Sequence, residues 1–188
     1  MGEKGSLLEN MELEQTKIDG VYIINNTIFE DKRGIFVKTF NKEIFKNYNL
    51  CTDFKESYYS ISNKNVIRGM HFQYKPFEHD KLVYVVNGKI LDVVVDLRKE
   101  SKTFKEFVCV ELNCDNRKSI YIPKGCAHGF LSLQDNSIVV YNVSTTYNKD
   151  YDMGIRYDSF GMNWNVNKPI ISNRDMNFCE IDDLKHYF

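Results

Sequence analysis

Arg68-Gly69-Met70-His71-Phe72-Gln73, followed by Lys81-Leu82-Val83 and later by Pro123-Lys124-Gly125-Cys126-Ala127-His128-Gly129-Phe130, is the part of the chain from which the rest is read. Two strand-like segments each carry one histidine, and a third brings a lysine. Around them, short runs rich in β-branched and aromatic residues alternate with turn signals. They cover 21–24, 35–40, 54–61, 66–73, 81–86, 89–97, 106–112, 119–122, 129–133 and 137–145. Asn87-Gly88 predicts a type I′ hairpin turn; Asp115-Asn116 and Asp135-Asn136 predict further tight turns. Helix is expected only over 41–48, with Asn41 as its cap, and over a short stretch at 182–186. Many short strands with regular turns imply an all-β fold. The expected architecture is a jelly-roll β-barrel with a few short helices.

Composition narrows the classes. A chain of 188 residues with 43% hydrophobic content fits one domain with a substantial core. Lys plus Arg (25) nearly cancels Asp plus Glu (26), so no bulk field draws the chain to nucleic acid or to a membrane. Apolar runs such as Leu91-Asp92-Val93-Val94-Val95 are too short to span a bilayer. Residues 1–15 are polar and acidic without β periodicity, and are expected to be a loose leader ahead of a single domain over 16–188. No apolar h-region of a secretory signal is visible. The five cysteines (51, 109, 114, 126 and 179) form no CxxC pair and their number is odd. A reduced, cytoplasmic protein is therefore expected.

The histidine segments, set in a β-rich chain, resemble the layout of a cupin barrel. A metal-binding cupin supplies two histidines and a glutamate from the first segment and one histidine from the second. Here the first gives only His71, with Gln73 where another ligand would stand, so a firm metal site is not expected. What remains is a pocket with His71, His128, Lys81 and Arg68, suited to proton transfer and anion binding. Strict alternation would put Arg68 and His71 on opposite faces, and a bulge at Gly69 would bring both into the pocket. On 89–97, Asp92 and Asp96 share the face opposite Leu91, Val93 and Val95. Either that face is solvated or Asp92 orients a pocket histidine, with His128 the candidate partner. His79 and His186 sit in polar, loop-like contexts and are given no role.

RGMHFQ (68–73), KLVYVVNGKILDVVVDLR (81–98), SKTF (101–104), IYIPKGCAHGFLSL (120–133) and VVYNVSTTYN (139–148) together resemble the family of dTDP-4-dehydrorhamnose 3,5-epimerases. These are metal-independent cupins acting on nucleotide-linked 4-keto-6-deoxy sugars, and the likeness runs from about Gly20 to Asp175. It implies an epimerase of carbon 3, carbon 5 or both, for deoxysugar and surface-polysaccharide biosynthesis, without a cofactor. The partners it implies are an NDP-sugar and a second subunit, in a homodimer with composite sites. By resemblance His71 is the base, Asp175 its dyad partner and Tyr141 the acid on the opposite face. Lys81 and Arg68 would hold the keto oxygen and the diphosphate. His128, braced by Asp92, would line the sugar pocket with Gln73, and Tyr147 would stack on the base. Arg33 would reach the neighbour's site, and Arg174 stands where the family often has lysine.

Other positions depart from the family. Lys38 replaces a usual glutamate, and Glu56-Ser57-Tyr58 replaces Gln-Asp-Asn beside the nucleotide. Glu56 and Tyr58 would then contact the base, and a nucleotide other than dTDP is expected, with GDP the first candidate. The rival readings are a sugar 3,4-ketoisomerase, a non-catalytic sugar-binding cupin and a metal-dependent cupin.

Overall fold

The computed structural model describes residues 6–188. The first half runs β1 (Ser6–Glu9), β2 (Glu12–Gln15), β3 (Tyr22–Asn25), β4 (Thr27–Asp31), β5 (Gly34–Lys38), α1 (Lys42–Asn47), β6 (Glu56–Ser62), β7 (Ile67–Gln73) and β8 (Lys81–Asn87). The second continues with β9 (Lys89–Asp96), β10 (Phe107–Asn113), β11 (Lys118–Ile122), β12 (Cys126–Ser132), β13 (Ser137–Val143), β14 (Asp152–Gly154) and α2 (Asn173–Met176). A short 3-10 turn, Ile181–Asp183, follows in place of the helix expected over 182–186. Asn41 caps α1 as expected, its Oδ1 accepting the N–H groups of Glu43 and Ile44.

One antiparallel sheet has the order β2-β3-β11-β8-β13-β6, a second β10-β9-β12-β7-β14, and β1-β4-β5 form a small third sheet. From β6 onward, apart from the paired β9 and β10, the chain crosses between the two large sheets at each step, which is the jelly-roll pattern within a cupin-type barrel. Their inner faces share a core of Val83, Val85, Ile90, Val94, Ile120, Ile122, Phe130 and Val139. The outer face of the second sheet is also covered: Ile67, Phe72, Val93, Val95 and Leu131 pack under Ile155, Trp164, Ile181 and Leu184 of the C-terminal segment. Helix α1 seals the outer face of the first sheet through Phe45, against Leu82 and Tyr121. With apolar cover on both sides, Asp92 of β9 and His128 of β12 face inward and are buried.

Two expectations are corrected. Asn87-Gly88 does not close a hairpin, because β8 pairs with β11 and β13 whereas β9 pairs with β10 and β12. The turn instead carries the chain from one sheet to the other. Gly88 has φ 78° there, and a Cβ would meet Ser137 Oγ at 2.5 Å. A two-residue signal reports local backbone shape; which faces bury together decides the pairing. Residues 6–15 are not a loose leader either: β2 pairs with β3 and β1 with β4. β2 is an edge strand with mostly exposed side chains, held by backbone bonds, so it carries no apolar alternation to read. Residues 1–5 lie outside the described part of the chain.

Candidate active site

The bulge expected at Gly69 is present and builds one wall of the site. His71 pairs with His128 but Arg68 pairs with Phe130, so three steps along β7 match two along β12. A Cβ on Gly69 would lie 2.6 Å from Gly129 Cα and 2.8 Å from the His128 carbonyl. Only glycine permits this approach. The shifted register turns Arg68 to the same side as His71, and both line a cavity of about 520 Å³.

Behind His71, Ser172 caps the short helix α2 by accepting the Asp175 N–H, which brings the buried Asp175 carboxyl to the imidazole. Asp175 Oδ1 lies 2.8 Å from His71 Nε2, and Oδ2 accepts the Gly69 N–H at 3.0 Å. Burial pushes the Asp175 carboxyl upward, but the bonds from His71 and Gly69 outweigh it and hold it below its usual value. An ionised Asp175 accepts from Nε2–H and leaves the lone pair on Nδ1, the form a base requires.

Lys81 opens β8 and is only 5% exposed. Its Nζ donates to the His71 carbonyl at 3.2 Å. Burial lowers its pKa from 10.5 to about 8, with Asp152 and Asp92 opposing the fall. Tyr141 comes from the other sheet, on β13, directly across from Tyr58 on β6. Its hydroxyl shares a 3.2 Å hydrogen bond with Ser60 Oγ, and its ring stacks on Tyr58 with centroids 4.9 Å apart. Burial drives the Tyr141 phenol upward, so it keeps its proton.

His128 is buried and its Nε2 lies 2.8 Å from Asp92 Oδ2. Of the two readings open for Asp92, the bond to a pocket histidine is the one formed, inside the barrel. Burial lowers the His128 pKa against the pull of Asp92. Asp96, on the same face of β9, instead closes a turn through Arg98, Ser101 and Thr103.

Arg68, His71, Gln73, Lys81, His128, Tyr141, Tyr147, Glu56, Tyr58 and Arg174 all line the one cavity, with Asp175 and Asp92 behind it. Several do more than face a ligand. Gln73 is buried and stitches two loops: Oε1 accepts from Asn148 N–H at 2.7 Å, and Nε2 donates to the Phe77 carbonyl at 2.9 Å. Glu56 Oε2 accepts the Tyr147 N–H at 3.0 Å, pinning a loop whose tyrosine ring is 60% exposed. Arg68 donates to Ser62 Oγ at 2.9 Å, and Arg174 to Asp152 Oδ2 at 2.6 Å. Arg33 is not in this cavity; it projects from the β4–β5 turn, paired with Asp31 and 85% exposed. Ser60, Asp152 and His79 line the cavity although the sequence reading gave them no role. Period-two spacing marks two of them: Ser60 follows Tyr58 by two residues, and His79 precedes Lys81 by two.

Against known families, residues 15–183 match the one described as dTDP-4-dehydrorhamnose 3,5-epimerase. An enzyme of that name from Methanothermobacter thermautotrophicus is 43% identical over 169 residues, covering 87% of this chain and 91% of its own. The Bacillus anthracis dTDP-4-dehydrorhamnose 3,5-epimerase, crystallised with TDP and PPi bound, is 34% identical with a TM-score of 0.88, covering 91% of this chain and 99% of its own. A Legionella pneumophila dTDP-6-deoxy-D-glucose-3,5-epimerase in complex with dTDP-4-keto-L-rhamnose is 31% identical with a TM-score of 0.88, covering 93% and 95%. Relatedness along nearly the whole chain, on the same fold, makes this protein a member of the dTDP-4-dehydrorhamnose 3,5-epimerase family and an isomerase of nucleotide-linked 4-keto-6-deoxy sugars in deoxysugar biosynthesis.

Proposed function

We propose that the cavity inverts carbon 3, carbon 5 or both of its sugar by proton removal from one face and return to the other. The ketone at carbon 4 acidifies the neighbouring C–H bonds. His71 Nδ1 takes that proton, and the bonding pair moves toward the carbonyl oxygen to give an enolate. Lys81 faces the developing oxyanion as a cation. Tyr141 then delivers its proton to the opposite face, and solvent returns each group to its starting state. The observation that carries this reading is His71 on one sheet, backed by Asp175 of α2, with the protonated Tyr141 reaching the same cavity from the other sheet. A positioned base or acid is worth roughly a hundred- to ten-thousandfold.

Arg68 and Arg174 are assigned to the diphosphate, as guanidinium forks suit phosphate oxygens. Tyr147 is assigned to the base, and His128 and Gln73 to the sugar wall. Glu56 and Tyr58 each have an intramolecular partner that accounts for them without a different base, so dTDP is taken as the nucleotide. The working unit is a homodimer in which Arg33 completes the neighbour's cavity. Its support is the β4–β5 hairpin, which carries the exposed Ile35 and Phe36, and the edge strand β6 with the exposed Tyr59 and Ile61. Five unpaired cysteines support a reducing, cytoplasmic location for it; among the described residues no helix is long and apolar enough to cross a membrane.

Incubation with dTDP-4-keto-6-deoxyglucose in deuterated water tests the reading. Deuterium is expected at carbon 3, carbon 5 or both, with the 4-keto group intact. Migration of the carbonyl to carbon 3 would indicate a ketoisomerase, and no exchange would remove the catalytic reading.

A further inference from the structure

Tyr141 stands on β13, and β6 pairs beside it as the last strand of the sheet. Glu56, Tyr58 and Ser60 face the cavity from β6 at period two. Glu56 already has a task in its bond to the Tyr147 N–H. The other two both meet Tyr141. Tyr58 is its direct cross-strand partner, and the rings stack with centroids 4.9 Å apart and 21° between their planes. Tyr141 is 8% exposed and Tyr58 47%, so the outer ring covers the inner one. The His128 ring stands nearly edge-on to Tyr141 at 6.2 Å.

The Tyr141 hydroxyl is held from the same strand. Ser60 Oγ lies 3.2 Å from it, and neither oxygen has another hydrogen-bond partner among the described residues. Each carries one proton. If Tyr141 donated, its proton would point at Ser60 and away from the sugar. With Ser60 donating, one lone pair of Tyr141 is occupied and the phenol proton is left free for the cavity. The bond also strengthens as that proton departs, because an anionic acceptor binds a donor more tightly than a neutral one. Burial raises the Tyr141 pKa, and the Ser60 bond is the main influence against it.

Resting on the epimerase reading above, we propose that Tyr58 and Ser60 are positioning residues for the acid: Tyr58 holds the plane of the Tyr141 ring, and Ser60, donating to its oxygen, aims its proton at the sugar. Neither touches the reacting carbon, and their effect falls on the second half of the reaction. Once the proton on His71 has exchanged with solvent, the enolate has two fates. His71 returns a deuteron to the face it left, which gives wash-in without inversion. Tyr141 protonates the other face, which gives inversion. The ratio of inversion to wash-in therefore reads how well Tyr141 is aimed, whereas a general loss of binding or folding lowers both rates together.

The test measures that ratio in deuterated water for Tyr58→Leu, which loses the ring, Tyr58→Phe, which keeps it, and Ser60→Ala, which loses the donor. Affinity for dTDP is measured beside it, and thermal unfolding checks the fold. Tyr58→Leu and Ser60→Ala are each expected to lower the ratio at least fivefold, with dTDP affinity within twofold of wild type, and Tyr58→Phe to keep most of the ratio. An unchanged ratio in Tyr58→Leu or in Ser60→Ala overturns the proposal, whether both rates are kept or both fall together. So does a Tyr58→Phe variant as low as Tyr58→Leu, which would give the role to the Tyr58 hydroxyl. A dTDP affinity lowered beyond twofold in Tyr58→Leu overturns it as well, by placing Tyr58 on the nucleotide. Wild-type protein without wash-in, or an unchanged ratio in Tyr141→Phe, overturns the epimerase reading itself, and this inference with it.

Discussion

Replacing Lys81 with methionine should make the protein more stable and inactive. Lys81 is 5% exposed, and its pKa falls from 10.5 to about 8, first because burial penalises the ammonium. At about 1.4 kcal/mol per pKa unit, that fall corresponds to about 3 kcal/mol against the charged form in the folded state. The bond it donates to the His71 carbonyl returns about 1 kcal/mol. Methionine has a similar length and no charge, so Lys81→Met should gain about 2 kcal/mol at neutral pH. The pH dependence fixes the sign. The folded-state pKa is the lower one, so between about 8 and 10.5 the unfolded chain holds the extra proton, and wild-type stability rises with pH. The variant's advantage is therefore full below pH 8 and shrinks as pH rises, with the ammonium penalty down to about 1 kcal/mol near pH 10. Urea midpoints at neutral pH and near pH 10, with unchanged slopes, measure this. Epimerisation should meanwhile fall by a factor of about a hundred or more, and wild-type kcat/KM should decline as pH rises through about 8. A variant less stable than wild type at neutral pH, or an advantage that ignores pH, would refute the assignment of Lys81 as a desolvated cation.

His71→Asn should keep the fold and abolish deuterium incorporation at both carbons; substantial exchange in a folded variant would take His71 out of the base role. Tyr141→Phe should still wash deuterium into the substrate while inversion slows at least about a hundredfold, and equal inversion rates would identify another proton donor. Mixing inactive Arg33→Ala chains with inactive His71→Asn chains should restore part of the activity through heterodimers, whereas no recovery despite proven subunit exchange would deny Arg33 its place in the neighbour's site. Calorimetric titration should rank dTDP above GDP, CDP and UDP; a preference for GDP would return Glu56 and Tyr58 to base recognition.

The fold was legible wherever one face of a strand is apolar and the other is not. β8 and β13 announce themselves on their inner faces through Val83, Val85, Val139 and Tyr141, and α1 through the Asn41 cap. Legibility ends where backbone pairing acts without a buried face. β2 is held to β3 while exposing most of its side chains, and β14 is a three-residue strand pairing with β7. The Asn87-Gly88 turn was readable as a turn but not as a crossing, since sheet partners are chosen by long-range burial. In the site, strand periodicity made a Gly69 bulge the way to bring Arg68 and His71 together, and left Asp92 either solvated or bonded to His128; the structure has the bulge and the bond. Asp175 does not, because it comes from a coil-borne helix more than a hundred residues from His71 in sequence. Only the family motifs pointed to it. His79 was missed because its polar neighbours, Glu78 and Asp80, suggest a solvated loop, although the loop turns inward.

Burial also explains how one barrel gives its titratable groups different charges. Desolvation always favours the neutral form. It holds the proton on Tyr141, keeps it off His128, and pulls Lys81 down without neutralising it at physiological pH. Asp175 stays ionised because the His71 and Gly69 bonds outweigh the same penalty. Arg68 and Arg174 stand at exposed positions on the same cavity. Among the described residues, Lys81 is thus a buried cation without a carboxylate bonded to it, donating only to a backbone carbonyl. An enolate formed beside it is the anion that relieves its desolvation cost, whereas the uncharged ketone is not. The interaction is stronger in the transition state than in the bound substrate, which is the condition for lowering a barrier rather than only tightening binding.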